Sequence, residues 1–205
     1  GIGRAIALIC QQEGAQVAIC ARTPTQLEET LKLSESQSPE MLAIPCDVTD
    51  TVQIQAMVQE IMTQWGGLDI LINNAGGAQA SKKSVEDLES EDLTSLLNLN
   101  VVGVHQVTKE VLRQAMPKDG HILNISSKAG KVGLPNMSFY VASKFALEGM
   151  TASWAKELKD RNIVVNSISP GMVDTQSFPK APGKKGVRTA ESIKDALLLA
   201  ITAPL

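Results

Sequence analysis

Residues 66–76 read GGLDILINNAG: two glycines, the apolar run Leu68 to Ile72 broken only by Asp69, then Asn73-Asn74-Ala75-Gly76. A run without polar alternation predicts a strand covered on both faces, as in a parallel sheet, and the glycines and asparagines at its ends mark turns. The same pattern stands on either side. Upstream, Val17 to Ala21 and Met41 to Cys46 are short apolar runs; downstream, so are His121 to Ser126 and Ile163 to Ser169. Between them lie segments of helical spacing. Arg4 to Gln12 is closed by Gly14, Thr23-Pro24 opens a helix to about Leu33, and Asp50 caps one that stops at Trp65-Gly66-Gly67. Further helices are expected from about Val85 to Met116, from Val141 to Lys159 and from about Ala190 to Thr202. Five strands alternating with helices predict an α/β fold, a three-layer doubly wound parallel sheet with right-handed crossovers. No linker or low-complexity tract divides the chain, so residues 1–205 read as a single domain.

Composition narrows the function. Lys and Arg total 19 against 22 Asp and Glu, a formal charge of -3, so no basic excess marks a nucleic-acid or membrane-surface partner. At 43% hydrophobic and 20% charged the balance is that of a globular protein, and no apolar run approaches the roughly 20 residues of a membrane span. Aromatics are only 3%, with a single tyrosine, so an aromatic with a chemical role is conspicuous. Cys10, Cys20 and Cys46 lie apart in apolar stretches and are expected to be buried free thiols, as in a reducing compartment such as the cytoplasm. His105 and His121 have no cysteine or carboxylate at ligand spacing, so no metal site is expected.

In such a sheet ligands bind beyond the carboxyl ends of the strands. Gly1-Ile2-Gly3 opens a helix with close-approach glycines and free N–H groups, which suits a pyrophosphate; a tight turn is the plainer alternative. Tyr140 and Lys144 are four apart at the start of a helix, hence on one face. An ammonium beside a phenol favours its ionised form and brings it towards the range of an acid/base catalyst. Ser127, thirteen residues before Tyr140 at a strand end, offers a hydroxyl to a substrate oxygen or simply caps a turn. Asn100, a polar amide in the apolar stretch Leu96 to Val104, is expected to bond something specific or to bridge neighbouring backbones.

Taken in order, these positions resemble the short-chain dehydrogenase/reductase family over the whole chain. Gly1-Ile2-Gly3 matches the end of the family's glycine-rich motif, Asn73-Asn74-Ala75-Gly76 its Asn-Asn-Ala-Gly, and Asn100 its helix asparagine. Ser127, Tyr140 and Lys144 match its Ser and Tyr-x-x-x-Lys, and Pro170-Gly171 with Thr175 its motif after the sixth strand. The resemblance implies a Rossmann-type fold and hydride transfer between a nicotinamide cofactor and a small carbonyl or alcohol substrate. Tyr140 would give or take the proton, Lys144 would favour the phenolate and hold the ribose, Ser127 would orient the substrate oxygen, and Asn100 would hold a water. It also implies contacts from Asn74, Ala75 and Gly76 to the cofactor, from Asp47 and Val48 to the adenine, and from Val173 to the nicotinamide amide. A nicotinamide-binding sensor without turnover is the alternative.

The strand Val17 to Ala21 is followed by Arg22 and no carboxylate, which favours NADP(H) over NAD(H) because a 2′-phosphate would meet a cation. Thr175 to Arg188 lies where the family carries its substrate lid, with Phe178, Pro179 and Pro182 to cover an apolar substrate and Lys180, Lys184, Lys185 and Arg188 to attract an anionic one. Met150, Trp154 and Leu158 serve the core or a subunit surface, a homodimer or homotetramer being expected from the family. The resemblance also places a first, central strand before Gly1 and a last strand after Leu205, so the chain is expected to lack both and, alone, to bind NADPH poorly or aggregate.

Overall fold

The computed structural model describes residues 1–34, 39–79, 82–175, 179–180, 184–202 and 204. Its helices are α1 (Ile2–Gln12), α2 (Pro24–Ser34), α3 (Thr51–Trp65), α4 (Ser90–Leu97), α5 (Val104–Gln114), α6 (Ser138–Glu157) and α7 (Lys194–Thr202). Its strands are β1 (Ala18–Ala21), β2 (Leu42–Pro45), β3 (Ile70–Asn73), β4 (Gly120–Ile125) and β5 (Ile163–Ile168). The expected α/β alternation stands, with every strand pair parallel. The chain forms two compact units, Gly1–Asp47 with Gly171–Leu199 and Val48–Pro170 with Ala200–Leu205.

In the first unit, the apolar stripe predicted on α1 buries Ala5, Ile6, Ala7, Ile9 and Cys10, and Gly14 follows the helix at φ 87°. Arg4 donates to Thr30 Oγ1 at 3.1 Å and pairs with Glu29 at 2.7 Å, tying α1 to α2. β1 and β2 run parallel, Ala18 opposite Leu42 and Ala21 opposite Pro45. Lys194, at the start of α7, pairs with Glu13 at 2.8 Å.

In the second unit, the Asp50 carboxylate accepts from the N–H groups of Val52 at 2.9 Å and Gln53 at 3.2 Å, the expected cap of α3. Gly66, left-handed at φ 76°, ends that helix. The sheet order is β3-β4-β5, with Asn73 opposite Asn124 and Ile125 opposite Ile168. Ile54, Val58, Val111, Met116, Ile122, Leu123 and Leu147 form its dry core. A polar ladder runs through it. Asn73 Nδ2 donates to Asn124 Oδ1 at 2.9 Å and to Thr108 Oγ1 at 3.0 Å, Asn124 Nδ2 donates to Thr151 Oγ1 at 2.8 Å, and Thr151 donates to the Leu147 carbonyl at 2.7 Å. These bonds join β3, β4, α5 and α6 and satisfy polar groups that would otherwise be orphaned in the core.

Three local expectations change, and a fourth reading is narrowed. Coverage on both faces holds for β4, buried from Ile122 to Ile125, but β1 and β2 contain no buried residue. Among the described residues β4 has a strand on each side, whereas β1 and β2 have only each other. Cys20 on β1 is accordingly exposed, unlike Cys10 and Cys46. The helix expected from about Val85 to Met116 is a 3-10 turn at Val85–Asp87, then α4, a π turn at Asn98–Gly103 and α5. Leu158 belongs to the core, while Met150 and Trp154 are half-buried.

Gly103 ends the π turn where a Cβ would stand 2.8 Å from the Val48 carbonyl oxygen, whereas a Cβ on Gly149 in α6 would meet nothing within 4 Å. Gly103→Ala should therefore cost about 1–3 kcal/mol by overpacking. Gly149→Ala should add about 0.5–1 kcal/mol through lower chain entropy. Urea unfolding of both variants checks the opposite signs.

Candidate active site

Asn100 lies in the π turn, 1% exposed. Its Nδ2 donates to the Gly77 carbonyl at 2.9 Å and to Ser143 Oγ at 3.0 Å, and its Oδ1 accepts the Gly77 N–H at 2.8 Å. Ser143 donates in turn to the Tyr140 carbonyl at 2.8 Å. One amide thus joins the loop after β3, the π turn and the first turn of α6. Of the two sequence readings of Asn100, its side chain performs the backbone bridge. The π turn, a rare element concentrated at functional sites, brings the amide to this position.

Lys144 follows Tyr140 by one turn on α6, with Nζ 6.0 Å from the centre of the phenol ring. Its Nζ donates to the Ile125 carbonyl at the end of β4 at 3.1 Å, and the residue is 6% exposed. Burial pulls the ammonium down to about 8, and the carboxylate of Glu148, one turn further on, acts in the opposite sense. Lys144 is therefore a cation at neutral pH that mild alkali can discharge. Residue 76 leaves it room. A Cβ on Gly76 would stand 3.1 Å from Asn100 Oδ1 and 3.6 Å from Lys144 Nζ.

Ser127 Oγ accepts the Ala129 N–H at 3.1 Å and so caps the 3-10 turn Lys128–Gly130, the plainer of its two sequence readings. As acceptor it keeps its own proton, for which the described residues offer no acceptor. The turn packs against α6, since a Cβ on Gly130 would stand 2.9 Å from the Lys144 carbonyl oxygen. Pro170 accepts the Lys128 N–H at 2.8 Å through its carbonyl, Val48 is buried, and Asn74 is half-buried ahead of the exposed Ala75 and Gly76.

In the other unit, Gly1, Ile2 and Gly3 open α1, and a Cβ on Gly1 would come 3.9 Å from Thr175 Cβ, so these two candidate residues are neighbours. Arg22 is exposed just beyond β1 and makes no ion pair among the described residues. Asp47 lies two residues past β2, Gly171 is exposed, and Val173 bridges to Arg188. Of the lid residues, Phe178 and Pro182 lie outside the described residues, Pro179 is exposed, and the Lys180 N–H donates to Asp174 at 2.8 Å.

The structure adds Gly77, Ser143 and Glu148 to the residues singled out in the sequence. Ser143 and Glu148 carried a signal. One lies inside the Tyr140–Lys144 turn and the other four residues beyond Lys144, on the same helical face. The role of Gly77 depends on a contact across 23 residues and left no local trace.

A family model described as short chain dehydrogenase matches residues 1–185. The 3-oxoacyl-(acyl-carrier-protein) reductase of Thermotoga maritima is 36% identical over 185 residues, 90% of this chain and 74% of that protein. Among solved structures, a short chain dehydrogenase from Burkholderia cenocepacia in complex with NADP superposes at a TM-score of 0.87 with 30% identity, covering 97% of this chain and 85% of that one. NAD+-bound xylitol dehydrogenase superposes at 0.88 with 29% identity, covering 97% and 87%. The chain belongs to the short-chain dehydrogenase family and is an oxidoreductase of carbonyl and alcohol groups.

Because the folded Lys144 releases its proton near 8 rather than 10.5, the unfolded chain binds more protons between those values. Stability contributed by this residue rises with pH across that window. Lys144→Met removes the rise. The stability of the variant relative to wild type should fall as pH goes from about 8 to 10.5, read from urea midpoints, and a constant difference would show that the ammonium is not desolvated.

Proposed function

We propose that the chain transfers a hydride between NADP(H), in preference to NAD(H), and a small carbonyl or alcohol substrate, with Tyr140 as the acid/base. The observation that carries this reading is the pair itself: the only tyrosine of the chain stands on one face of α6 with a buried ammonium 6.0 Å from its ring. Bound cofactor would supply or accept the hydride at its nicotinamide ring, and the protein supplies position and proton.

The residues present fit such a cofactor. Lys144 spends one of its three N–H donors on Ile125 and keeps two for ribose hydroxyls. Gly76 keeps the space beside that ammonium open. The first N–H groups of α1, beside Gly1 and Gly3, have no acceptor within their own helix and suit a phosphate. Asp47, Val48, Asn74, Ala75, Pro170, Gly171, Val173 and Thr175 are assigned to the cofactor by their place in the family's motifs.

In reduction, Tyr140 gives its phenolic proton to the carbonyl oxygen, and in oxidation it takes the proton from the alcohol. The cation of Lys144 favours the phenolate left behind. Ser127 directs its free O–H at the same oxygen. Asn100 keeps Gly77 and the Tyr140 turn in register, with one lone pair of Oδ1 left for a water. Of the two solved neighbours one is bound to NADP and the other to NAD+, so the preference for NADP(H) rests on Arg22, whose guanidinium is free to meet a 2′-phosphate. We place the protein in the cytoplasm as a homodimer or homotetramer, with the half-buried Met150 and Trp154 on the shared face; light scattering decides the assembly.

Tyr140→Phe should lose carbonyl reduction by at least about a hundredfold, the contribution of one positioned acid, while NADPH still binds in a fluorescence titration. Full turnover in that variant would remove Tyr140 from its role. Arg22→Asp should lower the ratio of NADPH to NADH efficiency at least tenfold, by about 1.4 kcal/mol or more; an unchanged ratio would cancel the cofactor preference.

A further inference from the structure

Glu148 takes no part in the steps above, yet its carboxylate is held by three donors. Its side chain is 13% exposed. Ser169 donates to Oε1 at 2.6 Å, and Ser167 and Lys131 donate to Oε2 at 2.8 Å and 2.7 Å. Ser167 is on β5, Ser169 lies just beyond it, and Lys131 follows the turn that Ser127 caps. A Cβ on Gly130 would stand 3.0 Å from Glu148 Cγ. Burial pushes the carboxyl up, but the donors, Lys131 first, outweigh it and hold the group at about 2. Its negative charge is therefore present throughout the working range.

As an ion pair with Lys131 alone this would count for little, since that lysine is 57% exposed and its charge is screened by water. Its place on α6 gives it more. Lys144 precedes it by four residues, so both lie on one face, and a charge in a water-poor region is weakly screened. Around Lys144, α6 presents Tyr140 and Glu148, β4 the Ile125 carbonyl, the π turn the neutral Asn100 amide, and the loop after β3 the uncharged Gly76, with Lys83 of that loop paired to Asp92. The turn after β4 carries two cations, Lys128 and Lys131, the second paired with Glu148.

We propose that Glu148 is a positioning residue for proton transfer: fixed by β5 and by the Ser127 turn, its carboxylate is the counter-charge that keeps Lys144 an ammonium beside Tyr140. This rests on Lys144 acting as that cation, as proposed above.

The test reads Lys144 directly, as the pH midpoint of its [13C]lysine NMR signal in the full chain, assigned with Lys144→Met. Glu148→Gln should lower the midpoint by about half a unit to one unit, and the alkaline limb of kcat/KM for carbonyl reduction should move the same way. Glu148→Asp, which restores the charge, should return most of the shift. A Glu148→Gln protein with wild-type circular dichroism and an unmoved midpoint would overturn the proposal, because a purely structural clip changes stability alone. Should that variant not fold, Glu148→Met, which removes the charge while keeping the length of the side chain, carries the test. A lowered midpoint supports the proposal and an unmoved one overturns it. The midpoint needs no substrate. Failure of the oxidoreductase reading would show separately, as absence of turnover in the wild type.

Discussion

Asn100, itself 1% exposed, answers the N–H and the C=O of Gly77 with one side-chain amide and passes its remaining donor to the buried Ser143. Each of these groups left unpaired would cost about 1–3 kcal/mol. The backbone has therefore yielded. An uninterrupted α-helix through residues 98–103 would carry each side chain round by about 100° per residue, and the wider π turn changes that phase. From there the constraint spreads, since Ser143 holds the Tyr140 carbonyl and the loop at Gly76 is drawn to within a methyl group's reach of Lys144. Loop, π turn and the start of α6 take their positions from a single amide.

Electrostatics acts on the same few ångströms. Desolvation is the larger influence on Lys144, and the nearby carboxylate only part-offsets it. A solvated lysine would hold its proton too firmly to respond near neutrality, and a fully desolvated one without a partner would lose it. Burial against the Ile125 carbonyl with a counter-charge one turn away gives an intermediate outcome, a cation close to the edge of its range. The opposite holds for Glu148, where hydrogen-bond donors outweigh burial and fix the charge.

Much of this was legible along the chain. The alternation of strands and helices, the Asp50 cap, the Gly14 and Gly66 stops and the shared face of Tyr140 and Lys144 are written in local spacing, and each appears where the spacing puts it. Features that depend on distant partners were not legible. Nothing between Val85 and Met116 announces a π turn, whose asparagine bonds Gly77 far upstream. The exposure of Cys20 reflects how many strands flank β1, which an apolar run does not encode. Ser127 was ambiguous between cap and donor, and its oxygen accepts the Ala129 N–H as a cap does.

The ladder from Asn73 through Asn124 to Thr151 bears on how faithfully the sheet is assembled. Asn73 faces Asn124 as a register pair. Sliding β3 by one residue against β4 would turn its side chains to the opposite face, leaving Oδ1 of Asn124, a residue 0% exposed, without the donor that Asn73 supplies. Apolar strands made of isoleucine and leucine tolerate such slips, since one aliphatic contact resembles another. Two asparagines do not. They act as a proofreading mark, so that the turn beginning at Asn74 leaves the sheet at one fixed height, directly after the pair Asn73 and Asn124.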